Sequence, residues 1–178
     1  HIEYDQKLSS YGPYVREMNL WTPHFESVKV VAPLASQRPT AMELSYDHGL
    51  IELMQVPSLF FKSGMRGIRS VLQVPSVMRT IYKAFKTADH IHLRCPGNIG
   101  LLGCMVQIFF PRTIKTAKYA GNWDPNGTNQ PLSYRLQKWI LANPWLTRNM
   151  QVMAYGEWPN QSPNIKPFFT ATYSEKET

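Results

Sequence analysis

Ala88-Asp89-His90-Ile91-His92-Leu93-Arg94-Cys95-Pro96-Gly97-Asn98-Ile99-Gly100 decides the fold, read with the apolar run after it and with Ile114 to Trp123. His90 to Cys95 is short, β-leaning and closed by Pro96-Gly97, which punctuate a turn. Ile99 to Phe110 is almost wholly apolar and about the length of a buried crossover helix. Ile114 to Ala120 alternates until Gly121 stops it. Strand, crossover helix and strand form the βαβ unit of a parallel sheet. In open α/β sheets ligands sit beyond the carboxyl ends of the strands. Arg94-Cys95-Pro96-Gly97-Asn98 and Gly121-Asn122-Trp123 are therefore expected to line the binding place.

Working outward, His1 to Ser10 reads as polar and irregular. Gly12-Pro13 opens a helix, since proline is tolerated in a first turn. Its inner face would be Val15, Met18 and Trp21. Val28 to Pro33 reads as a buried strand, Ser36 to Asp47 as a polar connection, and Leu50 to Pro57 as a strand. Two helices are expected around Pro75, one ending at Val71 and one over Ser76 to Lys86. Val77, Met78, Ile81, Tyr82 and Phe85 make one apolar stripe of the second. Arg79, Lys83 and Lys86 lie off it. Pro131 starts another helix with Leu132, Leu136, Trp139 and Ile140 turned inward. Asn149 to Ala154 and Phe168 to Tyr173 read as strands, with Gly156-Glu157-Trp158 as a loop at the end of the first.

This alternation of strands and helices means α/β with a mostly parallel sheet, in one domain over 1–178. A doubly wound domain starts with a buried strand, and none is read before Gly12. Either that first strand is missing or the sheet has another order.

The totals narrow the partners. The 178 residues are 43% hydrophobic and 12% aromatic, enough for a real core. The formal charge of +7 favours an anionic partner: a phosphorylated ligand, nucleic acid or an acidic membrane surface. Nucleic acid would need a basic stripe interleaved with exposed aromatics. The nearest case, Tyr82 to Lys86, has its aromatics on the core stripe, so no nucleic-acid partner is expected. Cys95 and Cys104 have no paired metal-ligand spacing, and no metal is expected. Two buried thiols suit a reducing, cytoplasmic setting.

Gly12 heads the first helix and Gly97-Asn98 the second. Helix N-termini offer free N–H groups to phosphates or hydroxyls. Arg94 beside the second adds a cation suited to a phosphate or carboxylate, unless it pairs with Asp89 or Glu157. Glu157 is a candidate acid or base and Trp158 a stacking wall, against the simpler reading of Trp158 as a loop anchor. No GxGxxG, GxxxxGK[ST] or GxSxG pattern occurs, so those nucleotide folds and serine hydrolases lack their signatures.

Taken in order, Tyr11-Gly12-Pro13-Tyr14-Val15-Arg16-Glu17, the Ala88 to Gly100 stretch, and Lys118-Tyr119-Ala120-Gly121-Asn122-Trp123 resemble the N-terminal half of bacterial family-four, GT-B type glycosyltransferases. The resemblance implies a Rossmann-like three-layer sandwich, one half of a two-domain enzyme. That half holds a sugar, glycolipid or polysaccharide acceptor. A C-terminal domain, not within these 178 residues, would hold the nucleotide-sugar donor. The resemblance implies no cofactor. It adds Tyr14, Arg16 and Lys118 to the substrate-binding candidates Gly12, Arg94, Gly97, Asn98, Asn122, Trp123 and Glu157. Many relatives carry Asp-x-x-His-x-His where Asp89 to Arg94 stands. Here Arg94 replaces the second His, and no catalytic base is assigned. The resemblance also implies a cytoplasmic enzyme of polysaccharide or glycoconjugate synthesis, working at the inner membrane face on an anionic surface. The alternative is a non-catalytic α/β module for a phosphorylated or acidic small ligand.

Overall fold

The computed structural model describes residues 1–4, 7–35, 38–47, 49, 51–61, 65–124, 130–158 and 160–169. Where one domain is expected over 1–178, the contacts group into two compact units. One lies within His1–Ser58, the other is Leu59–Phe169.

The first unit opens on a hairpin. β1 (Ile2–Tyr4) pairs antiparallel with β2 (Lys7–Tyr11), setting Ile2 opposite Ser9. The irregular start expected for His1 to Ser10 is thus corrected. Its inward side chains are too few to show a period, because the backbone ladder supplies the order. Ser9 is buried and its hydroxyl meets Ser45 at 3.0 Å. A strand therefore does precede Gly12, but it belongs to an antiparallel sheet. α1 (Gly12–Trp21) follows at once, with proline in its first turn and Val15 and Met18 buried as predicted; Trp21 is half-buried. β3 (Val28–Ala32) comes next, then β4 (Glu43–Ser45) and β5 (Ile51–Gln55). β4 pairs antiparallel with β2, and β5 lies parallel to β3. β4 falls inside the expected connection Ser36 to Asp47, where three residues are too few for alternation to show.

The second unit begins with α2 (Met65–Lys86), one helix with Pro75 inside it. The predicted break does not occur. Proline removes the N–H that would bond the Val71 carbonyl. Val71 is on the exposed side, where that carbonyl can turn to water. Ser70, Val77, Ile81 and Ala84 form one buried seam across the proline. Tyr82, assigned to the apolar stripe, is exposed and rests on the Phe110 ring at 5.1 Å.

β6 (His90–Cys95), α3 (Asn98–Val106), a 3-10 turn at Gln107–Phe109 and β7 (Ile114–Tyr119) form the expected βαβ unit. α4 (Leu132–Leu141), β8 (Met150–Tyr155) and β9 (Ile165–Phe168) complete a parallel sheet in the order β6-β7-β8-β9. The predicted strand Phe168 to Tyr173 begins earlier, and 170–173 lie outside the described residues. Pro167 lies within β9, at the edge of this four-strand order, where proline is tolerated.

Strand alternation divides the sheet. Ile91, Leu93 and Cys95, with Ala117 and Tyr119, and with Met150, Val152 and Ala154, point to one side. Cys104 of α3 and Ile140 and Leu141 of α4 pack there. Sequential strand order with right-handed crossovers puts successive helices on one face. α4 corrects a second expectation. Leu132, Leu136 and Trp139 are exposed, and the buried positions are Gln137, Ile140 and Leu141. The helix has two apolar stripes, and the core takes the one whose Gln137 Oε1 accepts the Gly97 N–H at 3.3 Å. Cys95 and Cys104 are free and buried, their sulfurs 3.7 Å apart. Among the described residues no helix is long and apolar enough to cross a membrane.

α3 enters hard against the end of β6. A Cβ on Gly100 would collide with the Arg94 carbonyl oxygen and lie 3.2 Å from Cys95 Sγ, whereas one on Gly97 would meet nothing within 4 Å. Gly100→Ala should therefore destabilise by about 1–3 kcal/mol through backbone overpacking. Gly97→Ala should stay within about 0.5 kcal/mol of the parent. Urea denaturation of both variants measures the contrast, and equal midpoints would refute the close approach.

Candidate functional site

The carboxyl ends of the second unit's strands carry the loops singled out in the sequence. Cys95, Tyr119 and Ala154 are in register, and Tyr155 pairs with Phe168. Arg94, Gly97 and Asn98 therefore come to one sheet edge with Lys118, Asn122, Trp123 and Glu157. A 2.6 Å bond from the Ala120 N–H to the Cys95 carbonyl ties the two loops together. Gly121 fits against Pro96, where a Cβ would lie 3.0 Å from the ring. Gly12, Tyr14 and Arg16 belong to the first unit.

Much of this set builds the loops. The Asn98 amide donates to the Leu59 carbonyl at 2.7 Å. Asn122 Oδ1 accepts the Asp124 N–H at 2.9 Å, closing an Asx-type turn. Trp123 is a core residue, edge-on to Tyr119 at 5.1 Å and donating to Gln161 Oε1 at 3.3 Å. Trp158 is the loop anchor of the simpler reading, donating to the Tyr155 carbonyl at 2.7 Å across Gly156, whose φ of +86° favours glycine. Arg94 and Glu157 are exposed at the rim. In the first unit the Gly12 N–H bonds the Met42 carbonyl at 2.8 Å, so it is not offered to an anion. Tyr14 sits edge-on to the rings of His1 and Tyr46. Arg16 is exposed on α1.

On the face of the sheet opposite the core, alternation on the strand puts His90 and His92 together as the sequence suggests, but Thr116 between them was not singled out. The same face carries Arg94 of β6, beside Thr116 and Lys118 of β7. Thr116 is the linking residue. Its hydroxyl lies 2.9 Å from His90 Nε2 and 2.8 Å from His92 Nδ1. A hydroxyl has one proton to give, so it donates to one ring and accepts from the other. That arrangement suits two neutral imidazoles. The polar half of His-Ile-His-Leu-Arg-Cys is the signal that could have found this column.

Arg94 and Lys118 are register partners at its carboxyl end. Lys118 is 1% exposed, with Nζ 4.4 Å from the Phe168 ring centre and 5.4 Å from that of Tyr155. Aromatic faces stabilise an ammonium that has lost water. Burial holds His92 down at about 4, and the charges of His90, Arg94 and Lys118 add to the effect. Burial lowers His90 as well. Tyr119, on the core side, is pushed up to about 12, chiefly by burial. The column is thus neutral imidazole leading to two cations. Among the described residues no group of His, Cys, Asp and Glu could hold a metal ion.

His92 makes stability depend on pH. Its value in the fold lies below the ordinary 6.5 of the unfolded chain, so folding favours the neutral ring. The contribution is complete above pH 6.5 and is lost as pH falls toward 4. It amounts to about 3 kcal/mol. His92→Gln should make the unfolding free energy less steep across that window. Urea melts at several pH values compare the two proteins, and identical slopes would assign the titration to another group.

Compared with known protein families, with characterised proteins and with solved structures, the chain has no significant match. What the strand ends bind must be read from their own chemistry.

Proposed function

We propose that the chain is the acceptor-side, Rossmann-like part of a GT-B glycosyltransferase that builds a cell-surface polysaccharide or glycoconjugate in the cytoplasm. The observation that carries this reading is the pairing of Arg94 with Lys118 at the carboxyl end of a parallel sheet, directly before the N-terminus of α3. Gly97 is the N-cap of α3, and no side chain caps the helix there. Its first-turn N–H groups and the Arg94 guanidinium suit a phosphate, a carboxylate or sugar hydroxyls. Arg94 provides the charged contact at the rim. Lys118, sealed under Phe168 and Tyr155, contributes field rather than contact. The ordered motifs of Tyr11–Glu17, Ala88–Gly100 and Lys118–Trp123 supply the family resemblance. No cofactor is required. The charge of the leaving diphosphate would be met by basic side chains and helix N-termini.

Arg94→Ala should weaken binding of a glycosyl phosphate by roughly 10- to 100-fold, the worth of one charge-assisted hydrogen bond. The melting temperature should not move, since the side chain is exposed. Calorimetric titration and a thermal melt measure both. A collapsed melt would make Arg94 structural. Retained anion binding by a full-length protein that releases no nucleoside diphosphate from any nucleotide-sugar would favour the non-catalytic module.

A further inference from the structure

We propose that the loops at the amino ends of β7 and β8 form a second binding surface, for a polysaccharide that carries uronic acid units. Both loops belong to the second unit. One is the 3-10 turn Gln107–Phe109 with 110–113 after it, and the other is 142–149 between α4 and β8. Hydrogen bonds lace them together. The Gln107 amide donates to the Leu146 carbonyl at 3.0 Å. The Asn149 amide donates to the Pro111 carbonyl at 3.2 Å, and the Asn149 carbonyl accepts the Lys115 N–H at 2.8 Å. Asn143 fixes the turn that precedes them. Its Oδ1 accepts the Trp145 N–H at 2.9 Å, and its carbonyl accepts the Thr147 hydroxyl at 2.7 Å. Backbone tied in this way presents its side chains before a ligand arrives, which lowers the ordering cost of binding.

What the two loops carry is aromatic and cationic. Phe109 is 71% exposed and Trp145 79%. Arg112 and Arg148 are exposed on the same loops. The Arg148 guanidinium lies 5.8 Å from the centre of the Trp145 ring, so a flat apolar surface and a charged fork are offered as one unit. A pyranose ring has an apolar face of C–H groups that stacks on an indole, and a uronic acid adds a carboxylate for the guanidinium. Charge narrows the ligand to an acid. From residue 90 to residue 156 the sole Asp or Glu is Asp124, which follows β7 at the other end of the sheet. Asp89 heads β6 at this end, against the two arginines. A strand of nucleic acid asks for a cationic groove along its whole backbone, which two arginines do not make. The surface lies at the end of the sheet away from Arg94 and the first turn of α3, so it stands whether or not that site binds a sugar.

Calorimetric titration of the full chain with an oligogalacturonate tests this, against a neutral glucan oligomer, an oligoglutamate and an oligouridylate of equal length. The oligogalacturonate should bind more tightly than all three and weaken at high salt. Trp145→Ala should weaken it on the order of tenfold, through the loss of one stacked ring. Arg112→Ala with Arg148→Ala should weaken it on the order of 100-fold. Lysine at both positions should restore only part of that, since an ammonium lacks the planar fork. Thermal melts of these variants should match the parent, because every changed side chain is exposed. Arg94→Ala should leave this binding at the parent's level, and a loss there would move the ligand to the carboxyl ends of the strands and overturn the proposal. No binding of the oligogalacturonate overturns it, and so does unchanged binding in the Trp145 variant or in the double arginine variant, or equal binding of the neutral oligomer. Tighter binding of the oligoglutamate or the oligouridylate also overturns it, making an acidic polypeptide or RNA the occupant.

Discussion

Period-two alternation along β6 and β7 is the constraint on which the second unit depends. Each strand must send every other side chain to the helical side, and parallel register fixes which ones. Ile91, Leu93 and Cys95 therefore meet Ala117 and Tyr119 under α3 and α4. The same register leaves His90, His92, Arg94, Thr116 and Lys118 together on the other side. A slip of one residue would drive two histidines and an arginine into the core and is excluded on burial cost alone. Thr116 between the two imidazoles and the rings of Phe168 and Tyr155 over Lys118 are local answers to that forced grouping.

A second consequence is that little of the loop chemistry remains for a ligand. Gln137 accepts the Gly97 N–H, the Leu59 carbonyl takes the Asn98 amide, and Asn122 closes its own turn. Lys138 of α4 reaches down to the Asp124 carbonyl at 2.6 Å and holds the next loop. These bonds make the strand ends rigid, which favours binding by lowering the ordering cost. At the rim beyond them lie the exposed side chains of Arg94 and Glu157 and the first turn of α3.

How far the chain could be read from its residues follows from which signals were local. β6, α3, β7 and β8 were legible because alternation, an apolar run and Gly or Pro punctuation agreed at each boundary. β1, β2 and β4 were not, since pairing between short segments leaves no pattern in any one of them. Pro75 misled because a buried seam of four residues outweighs one missing hydrogen bond. Trp123 carried no signal that separates a core anchor from a substrate-binding side chain; its place depends on Tyr119 and Gln161. The His90–Thr116–His92 link needed the register of two strands, 24 residues apart from Thr116 to His92.

The two helices with double apolar character show where periodicity ends as a guide. α4 offers Leu132, Leu136 and Trp139 on one side and Ile140 and Leu141 on the other. Hydrophobicity alone prefers the first, which is larger. The structure buries the second because Gln137 lies within it and supplies the acceptor that the loop before α3 needs. An unsatisfied backbone N–H in that loop would cost as much as a sizeable apolar contact. On α2 the seam of Ser70, Val77, Ile81 and Ala84 goes inward, where the Ser70 hydroxyl binds the chain at Phe60, and Ile68 and Leu72 remain outside. In both helices a polar side chain on the buried side is satisfied there, by the Gly97 N–H on Gln137 and the Phe60 N–H on Ser70, while bulky apolar groups such as Leu132, Trp139 and Leu72 stay at the surface.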